Sequence, residues 1–418
     1  MFLHIDIDCF FISAERTINK NLLNCPAAVG SRSNLEIFSQ QRRNIKLLNI
    51  NSGAFVTPVF HSDFKKNFNN YFLDKNKIRG IITTASYEAR AYGVKTAMPI
   101  AKALSLCPNL IVVPSNMSLY HKLSKKLFIL LKKEIPQIEQ YSIDEFFGII
   151  DGWIENKDVE KFINYLKNKI YKELKLPVSI GAAKSKYIAK LATNKAKPFG
   201  VYIVNNQEEF IKDIPISNFP GIGKSFSKKL NQYGIKKLSD ICNSKKLLYS
   251  WKLPGIELYN RVCAKNNGII KKKEPKKSIG LSRTFDAIYE YNEIQRRVVI
   301  MGRHIAYMVH KAKVNPLRFD LKIYYNDGTK IKNGIQSNRI FNEHLFKESL
   351  VILLKNSWIE NRGIIKIRVW VSNFSIKGNK TLSLLNHNED LKQKQIDDAV
   401  SKLRNSFGLD ILKNGNEI

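Results

Sequence analysis

The stretch "EQYSIDEFFGIID", from Glu139 to Asp151, places two adjacent acids, Asp144 and Glu145, among apolar residues. Aromatic and β-branched neighbours predict a buried strand, and an unpaired charge is costly to bury. The acids must therefore lie at a solvent-facing turn or bind something positive. Because adjacent strand residues point to opposite faces, the two acids can share a ligand only at a turn. The stretch predicts a hairpin with the acids at its tip.

A second pair of acids lies in the N-terminal stretch "MFLHIDID". Asp6 and Asp8 are two residues apart on a predicted strand and so share a face, and Asp8 is also a predicted N-cap of the next helix. Either pair alone is common on protein surfaces. Together, Asp6, Asp144 and Glu145 predict a site of hard oxygen ligands suited to Mg²⁺. Two such ions can hold the attacking and leaving oxygens of a phosphoryl transfer.

The composition points to a polyanionic partner. The 418 residues carry 69 Lys and Arg against 36 Asp and Glu, a formal net charge of +33. Such a charge repels itself unless a polyanion binds, which favours nucleic acid, with a membrane surface as the second candidate. The sequence has no apolar run long enough to span a bilayer and no pattern of a signal peptide. Five scattered cysteines predict a reduced cytosolic protein without structural zinc (Cys9, Cys25, Cys107, Cys242 and Cys263).

Strand and helix patterns alternate from the N-terminus to about Val204, which predicts an α+β or mixed α/β domain. A small helical unit follows, and then a Lys-rich linker containing "IIKKKEPKKS". Beyond the linker, the pattern predicts a compact sheet backed by two helices, and the tail predicts an isolated helix. The stretch from Ser31 to Lys77 is irregular and longer than an ordinary loop.

Three basic stretches are candidate phosphate contacts. Tyr87 and Arg90 lie on one side of a predicted helix, although a surface Arg above a half-buried Tyr is the more common arrangement. Lys186, in "GAAKSK", lies where a helix begins and attracts anions, but such lysines are usually only solvated. Lys366 and Arg368 share one face of a predicted strand in "IIKIRVWVSNF", which suits phosphate contacts or simple solvation.

The stretch "PGIGKSFSKKL" has short glycine turns followed by a basic helix. Backbone amides at such turns can bind phosphate without reading bases, as in a helix-hairpin-helix; a plain Pro-Gly helix cap is the alternative. The segment from Leu253 to Val262 is a weaker second candidate.

These stretches together resemble the Y-family translesion DNA polymerases, closest to the DNA polymerase IV branch. The matching motifs occur in order: "HIDIDCFF", "TTASYEARAYGVKTAMP", "YSIDE", "SIGAAKSKYIAKLATNKAKPFG", "FPGIGKSFSKKLNQYGI" and "KKSIGLSRTF". The resemblance implies an α+β, multidomain, right-hand polymerase with palm, fingers, helical thumb and an α/β little finger. The implied domains are palm 1–10 and 116–203, fingers 11–115 with an enlarged 31–77 insertion, thumb 204–268, basic linker 269–277, little finger 278–378 and C-terminal tail and helix 379–418.

The resemblance also implies roles for individual residues. Asp6, Asp144 and Glu145 match the metal-binding catalytic carboxylates, the carbonyl of Ile7 matches a backbone ligand, and Asp8 matches a supporting position. Phe11 matches the ring that excludes a ribose 2′-hydroxyl. The remaining implied contacts are to the nucleotide (Phe10, Thr84, Tyr87, Arg90 and Lys186), above the templating base (Ala97) and to DNA (Gly221, Gly223, Lys224, Lys366 and Arg368).

The implied activity is DNA synthesis past damaged bases, with low fidelity and no proofreading, using two Mg²⁺ ions, dNTP and primer–template DNA. A cytoplasmic monomer is expected. Thr381 to Leu385 occupies the place of a sliding-clamp peptide but lacks its usual Gln and terminal aromatic residue. Phe146 and Phe147 also depart from the family, which has a small residue and then Tyr. A non-catalytic DNA-binding repair or recombination protein and a nucleotidyl cyclase with a palm-like fold are the alternatives.

Overall fold

The structure, a computed structural model, describes residues 1–39, 46–48, 59–61, 67–74, 76–263, 265, 268–270, 276–375, 385–413 and 415–417. The chain forms two compact units. The first contains the described residues within 1–31 and 67–270, and the second contains those within 32–48, 59–61 and 276–417. Among the described helices, none combines the length and apolar character that crossing a bilayer requires.

Strands and helices alternate along much of the chain, as the sequence predicts. The strands are β1 (Phe2–Ile7), β2 (Ala27–Ser31), β3 (Lys46–Leu48), β4 (Val59–His61), β5 (Leu73–Asp74), β6 (Lys77–Ile78), β7 (Ile81–Ala85), β8 (Ile111–Pro114), β9 (Gln137–Gln140), β10 (Glu145–Ile149), β11 (Val178–Ala183), β12 (Val201–Ile203), β13 (Ser278–Ile288), β14 (Pro316–Tyr325), β15 (Lys330–Gln336) and β16 (Ile364–Phe374). The helices are α1 (Phe10–Arg16), α2 (Phe68–Phe72), α3 (Tyr87–Ala91), α4 (Ile100–Leu106), α5 (Met117–Glu134), α6 (Val159–Leu174), α7 (Lys186–Ala196), α8 (Gln207–Ile211), α9 (Lys224–Gln232), α10 (Leu238–Asn243), α11 (Lys245–Ser250), α12 (Lys252–Val262), α13 (Tyr291–Ala312), α14 (Glu343–Lys355) and α15 (His387–Phe407).

A five-stranded sheet lies at the centre of the first unit, in the order β12-β11-β1-β10-β9. Strand β1 pairs antiparallel with both β10 and β11, and it is buried along its whole length. Leu3 and Ile5 belong to the core cluster that includes residues of α5 and α6. Phe2, on the alternate face, belongs to the cluster that includes residues of α7. The predicted buried first strand is confirmed.

Helix α7 packs closely on this sheet because Gly181 of β11 has no side chain. A Cβ at Gly181 would lie 2.3 Å from the carbonyl oxygen of Ala189 and 2.4 Å from the amide nitrogen of Thr193. Contacts that short do not occur between real atoms, so a larger residue would push α7 away. The glycine thus sets the distance between the helix and the strand next to β1.

A smaller sheet of the first unit has the order β7-β2-β8, and α3 follows β7 directly. Ser86, between β7 and α3, is the N-cap of α3, and its side chain accepts a hydrogen bond from the amide of Ala89. The sheet and its cap fix where Thr84, Tyr87 and Arg90 lie.

Helices α8 to α12 form the predicted helical region of the first unit. Gly221 has a φ of +99°, a left-handed conformation that favours glycine, and Gly223 directly precedes α9. The weaker second hairpin candidate is wrong, because Leu253 to Val262 lies inside the continuous helix α12. Gly255 serves packing there, since a Cβ would collide with the carbonyl oxygen of Leu248.

The structure joins Cys242 to Cys263 by a disulfide, so the prediction that all cysteines are reduced is wrong for this pair. The two residues lie 21 positions apart in sequence, and their Cα atoms are 5.8 Å apart because α10 packs against α12. That spacing matches no common cysteine motif, so the sequence alone did not signal the pair.

The second unit contains a four-stranded antiparallel sheet in the order β13-β16-β14-β15. Helices α13 and α14 pack against it, and the buried residues Ile367, Val369 and Val371 of β16 belong to their common core. The predicted compact sheet backed by two helices is confirmed. Alternation along β16 leaves Lys366 and Arg368 on the other face, as predicted.

Part of the long Ser31–Lys77 stretch belongs to this second unit. Ile37 and Phe38 are buried in its core cluster, and the Phe38 ring meets the Phe285 ring edge-on, with centroids 6.4 Å apart. The Arg296 guanidinium donates a hydrogen bond to the carbonyl of Phe38, and the hydroxyl of Ser33 accepts one from the amide of Thr284. The stretch therefore contributes core residues to a sheet more than two hundred positions later in sequence.

The C-terminal helix is not isolated, so that prediction is wrong. Arg404 of α15 pairs with Glu343 of α14, and Arg339 pairs with Asp390 of α15. After α15, the buried carboxylate of Glu417 lies 2.7 Å from both Arg303 and Lys347. A tail that is polar in sequence is thus held to the second unit by buried ion pairs.

Candidate active site

The pairing of two strands brings the predicted metal ligands together. Asp6 on β1 lies directly opposite Glu145 on β10, and the amide of Ile7 donates a 3.0 Å hydrogen bond to the carbonyl of Asp144. Residues directly opposite each other on paired strands point to the same face. The predicted proximity of the first strand and the acidic hairpin is confirmed, while the roles of these residues stay predictions.

The predicted turn at the hairpin tip is also confirmed. Asp144 lies in the bend just before β10, and the amides of Tyr141 and Ser142 both donate to the carbonyl of Glu145. The Ser142 hydroxyl donates a 2.5 Å hydrogen bond to the Asp144 carboxylate. The bend frees Asp144 from strand alternation, so it can approach the same space as Glu145.

Two lysines that the sequence analysis missed bind these carboxylates. Lys197 Nζ lies 2.7 Å from Asp6 Oδ1, and Lys190 Nζ lies 2.6 Å from Glu145 Oε1. Lys186 and Lys190 recur one helical turn apart on α7, and Lys197 directly follows the helix. That recurrence was the available signal. The acids are costly to bury without positive partners, and these ammonium groups are the partners that the structure provides.

The carboxylates have strongly perturbed proton affinities. The pKa of Asp6 is raised to about 7, mainly by burial. The nearby Lys197 lowers this pKa, and the neighbouring Asp144 and Glu145 add to the increase. Burial likewise raises the pKa of Asp144, and the charge of Glu145 adds to the effect. Burial also disfavours the ionised form of Glu145, but His4 and Lys190 outweigh it and lower the pKa of Glu145 to about 2. Crowded carboxylates with such pKa values are typical of functional sites.

The donor set fits divalent cations. Ile7, whose carbonyl is a predicted ligand, ends β1 between the side chains of Asp6 and Asp8. Burial and the neighbouring carboxylates raise the pKa of Asp6 and of Asp144, so nearby positive charge favours their ionised forms. Hard oxygen donors of this kind suit Mg²⁺. The residues present therefore fit the metal ions that the sequence predicts.

Asp8 does not cap α1, so the predicted N-cap is wrong. The N-cap is Cys9, with a left-handed φ of +46° and no side-chain hydrogen bond. The Asp8 carboxylate instead accepts hydrogen bonds from the hydroxyl of Ser179 and from the amide of Phe199. These partners come from distant parts of the chain, and they make Asp8 a buried support beneath the site.

Most of the chain is similar to known proteins. A model of the impB/mucB/samB family matches residues 5–194, and a model of the IMS family HHH motif matches residues 204–235. DNA polymerase IV of Treponema denticola is 28% identical over 99% of this chain and 95% of that protein. DNA polymerase IV of Listeria monocytogenes serotype 4a is 29% identical over 78% of this chain and 95% of that protein.

The chain belongs to the Y family of DNA polymerases.

Solved structures agree on the fold of this Y-family chain. A chimera of the Y-family DNA polymerases Dbh and Dpo4 superposes with a TM-score of 0.71 at 23% identity, over 90% of this chain and 99% of the chimera. An insertion ternary complex of Dbh DNA polymerase gives a TM-score of 0.56 at 23% identity, over 90% of this chain and 99% of that chain. The predicted right-hand polymerase fold is confirmed, and the enzyme class is DNA-directed DNA polymerase.

One predicted nucleotide contact of this Y-family polymerase, Lys186, does not contact the carboxylates of Asp6, Asp144 or Glu145 in this structure. Lys186 Nζ binds the buried carboxylate of Glu139 at 2.6 Å and the carbonyl of Ile269 at 3.2 Å. A buried ammonium with a carboxylate partner is held in place. Lys186 is thus paired with Glu139 in this structure, while Lys197 is the lysine in contact with Asp6. The nucleotide contact of Lys186 stays a prediction.

The two phenylalanines of α1 differ in exposure. Phe10 is buried in the core of the first unit, so its side chain does not reach the surface. Phe11 is only partly buried, and its ring stacks on Tyr120 with centroids 4.5 Å apart and planes 12° from parallel. Of the two predicted contacts, Phe11 has the accessible ring.

Thr84 lies near the end of β7, and Tyr87 and Arg90 lie in α3. The exposed Arg90 guanidinium lies over the Tyr87 ring, and the Tyr87 hydroxyl donates a 3.3 Å hydrogen bond to Asp8. Tyr87 is thus linked to the site through the Asp8 support. Ala97, predicted above the templating base, is exposed and has a left-handed φ of +69°.

The predicted DNA contacts lie on open surfaces of their own units. In the first unit, a Cβ at Gly221 or Gly223 would meet no atom within 4 Å, and the exposed Lys224 begins α9. In the second unit, the Lys366 ammonium lies over the Tyr324 ring, and Arg368 lies over Trp370. Basic groups interleaved with aromatic rings suit a nucleic acid surface. The candidate clamp segment falls at Thr381 to Leu384 outside the described residues, and its last residue, Leu385, is exposed.

Proposed function

We propose that this Y-family polymerase copies template DNA past damaged bases, with low fidelity and without proofreading. The proposed reaction transfers a nucleotide from a dNTP to a primer 3′-hydroxyl and releases pyrophosphate. Asp6, Asp144, Glu145 and the Ile7 carbonyl would hold two Mg²⁺ ions. The strand register that sets Asp6 opposite Glu145 is the observation that carries the proposal.

Bound Mg²⁺ would lower the pKa of the primer hydroxyl and screen the charge that develops at the α-phosphate. The chain's own residues hold and orient the substrates. With cations held by these carboxylates, Lys190 and Lys197 would no longer be needed as partners of Glu145 and Asp6, and their ammonium groups could bind phosphate oxygens. Arg90 and Tyr87 act on the same triphosphate, and the Phe11 ring blocks the space of a 2′-hydroxyl.

Primer–template DNA is the proposed partner that neutralises the net charge of +33. Gly221, Gly223 and Lys224 would bind its phosphates through backbone amides and an ammonium group, and Lys366 and Arg368 would bind them from a sheet surface. A monomer in the cytoplasm, with the sliding clamp as a further partner through Thr381–Leu385, completes the proposal.

Primer extension with Mg²⁺ and dNTPs tests the function. Asp144→Asn should lower the extension rate at least about a hundredfold, because it removes a charge needed in the transition state, while DNA binding is kept. Glu155→Gln, an exposed acid elsewhere in the first unit, is the matched control and should extend normally. Normal extension by Asp144→Asn would reject the site. DNA binding without extension by the unmodified chain would favour the non-catalytic alternative.

A further inference from the structure

His4 is a buried imidazole beside the carboxylates that the proposed reaction leaves without a role. It precedes Asp6 by two residues on β1, so the two side chains share a face, and Glu145 lies opposite Asp6. Ligand atoms of His4, Asp6 and Glu145 all lie within 4.8 Å of one another. Asp144 is not part of this group.

The hydrogen bonds around His4 are compatible with a ring proton on Nδ1. His4 Nδ1 lies 2.8 Å from the hydroxyl oxygen of Thr193. That hydroxyl has one proton, and it donates to the carbonyls of Ala189 and His4, at 3.0 and 3.2 Å. When the hydroxyl donates to these carbonyls, its oxygen can accept from Nδ1–H, and in that tautomer Nε2 carries a lone pair available to a metal ion.

The Nε2 atom of His4 faces a carboxylate. His4 is 1% exposed, and among the described residues no hydrogen-bond partner reaches its Nε2. The Glu145 oxygen Oε1 lies 3.6 Å away, beyond hydrogen-bonding distance. In the tautomer with a lone pair on Nε2, the two electron-rich atoms would be stabilised by a cation between them.

We propose that His4 Nε2, Asp6 and Glu145 form a binding site for a first-row transition-metal dication, such as Zn²⁺ or Co²⁺. One imidazole nitrogen and two carboxylate oxygens are a ligand set that these ions accept, leaving a position for water. Mg²⁺ prefers oxygen ligands, so the imidazole gives the site its preference among metals. The Nδ1–Thr193 contact orients the ring as a histidine ligand requires.

Binding there rearranges the ion pairs of the site. Lys190 leaves Glu145 and Lys197 leaves Asp6, because the dication replaces both ammonium groups. The same ion draws Asp6 and Glu145 away from the nucleotide-bound Mg²⁺, so it inhibits primer extension. This inhibition rests on the proposed function, whereas the binding site itself does not.

Titration of the free protein with Co²⁺ tests the site without any reaction, because coordinated Co²⁺ absorbs visible light according to its ligands. We expect the visible absorption band to saturate at one Co²⁺ per protein, and we expect added Zn²⁺ to abolish the band by displacing Co²⁺. His4→Phe, which keeps a ring of similar shape beside Phe147, should weaken binding at least tenfold and remove the band. His121→Phe, a buried histidine of α5, and Asp144→Asn should both keep it.

A Co²⁺ band that is unchanged in His4→Phe, or lost in Asp144→Asn, would overturn the proposal. If His4→Phe does not fold by circular dichroism, anomalous diffraction from Zn²⁺-soaked crystals of the unmodified protein decides. A peak bonded to His4 Nε2 supports the site, and a peak bonded to Asp144 but not to His4 overturns it. Absence of primer extension by the unmodified chain would reject the proposed function and leave these readings intact.

Discussion

Phe38→Ala tests whether the Ser31–Lys77 stretch is a structural part of the second unit. Phe38 is 5% exposed and lies in the core cluster of that unit. Loss of its buried ring costs about 1.5–3 kcal/mol in transfer free energy. Loss of the edge-on pair with Phe285 adds about 0.5–1.5 kcal/mol, and loss of the contact with the Arg297 guanidinium adds about 0.5 kcal/mol.

These contributions predict that Phe38→Ala lowers the free energy of unfolding of the second unit by about 2.5–5 kcal/mol, which overlaps the range for deletion of a buried Phe. For a unit of this size, the melting temperature should fall by about 10 °C. Calorimetry measures the shift, and hydrogen exchange should become faster in β13 and α13, which contact the ring. Phe407→Ala removes an exposed ring from the same unit and is the matched control; it should change stability by less than about 0.5 kcal/mol. Equal behaviour of the two variants would refute the packing of this stretch.

Three further predictions concern the gate, the tail and pH. Phe11→Ala should raise ribonucleotide incorporation relative to deoxynucleotides at least about tenfold, equivalent to about 1.4 kcal/mol, because it opens space at the sugar; an unchanged ratio in primer extension would place the gate elsewhere. Glu417→Ala should destabilise the second unit by about 3 kcal/mol, because it removes the carboxylate that pairs with Arg303 and Lys347. Chemical denaturation measures the change, with Glu389→Ala, at an exposed position of α15, as the control. Equal denaturation midpoints for the two variants would contradict the buried network. Burial and the nearby charge of Glu343 raise the pKa of Asp397 to about 6, although Arg404 opposes the shift. The folded state therefore holds this proton more tightly than the unfolded state, and stability should fall by at most about 3 kcal/mol as pH rises from 4 to 6. Asp397→Asn should flatten this pH dependence and the neighbouring Asp398→Asn should not; an equal slope in both variants would refute the assignment.

Much of the site could be predicted because its chemistry conflicts with its surroundings. Acids in a strongly apolar stretch, such as Asp144 and Glu145, require a turn and a positive partner, and the sequence predicts both. The pairing of Asp6 with Glu145 follows from strand alternation once the two strands are recognised.

The partners of the site residues could not be predicted in the same way. Lys186 pairs with Glu139 and Lys197 with Asp6, carboxylates more than forty positions away in sequence from each lysine. The N-cap prediction for Asp8 was wrong because Ser179 and the amide of Phe199, both far away in sequence, take its carboxylate. Local sequence propensities do not predict hydrogen bonds to partners that are distant in sequence, and such partners can override a local capping preference.

The same limit applies to the second unit. Ile37 and Phe38 form a short apolar segment in a polar stretch, with no periodicity that signals a core. Glu417 looks like an ordinary solvated acid until the fold places it between Arg303 and Lys347. In both cases the determining partner lies elsewhere in the chain, and only the assembled unit identifies it.

The most direct measurement of the central claim is a crystal structure with Mg²⁺, primer–template DNA and a nonreacting dNTP analogue. The account predicts two ions bound by oxygens of Asp6, Asp144 and Glu145 at about 2.1 Å, with Lys190 and Lys197 moved off the carboxylates. Ions bound elsewhere, or a nucleotide bound with both lysine–carboxylate pairs intact, would contradict it.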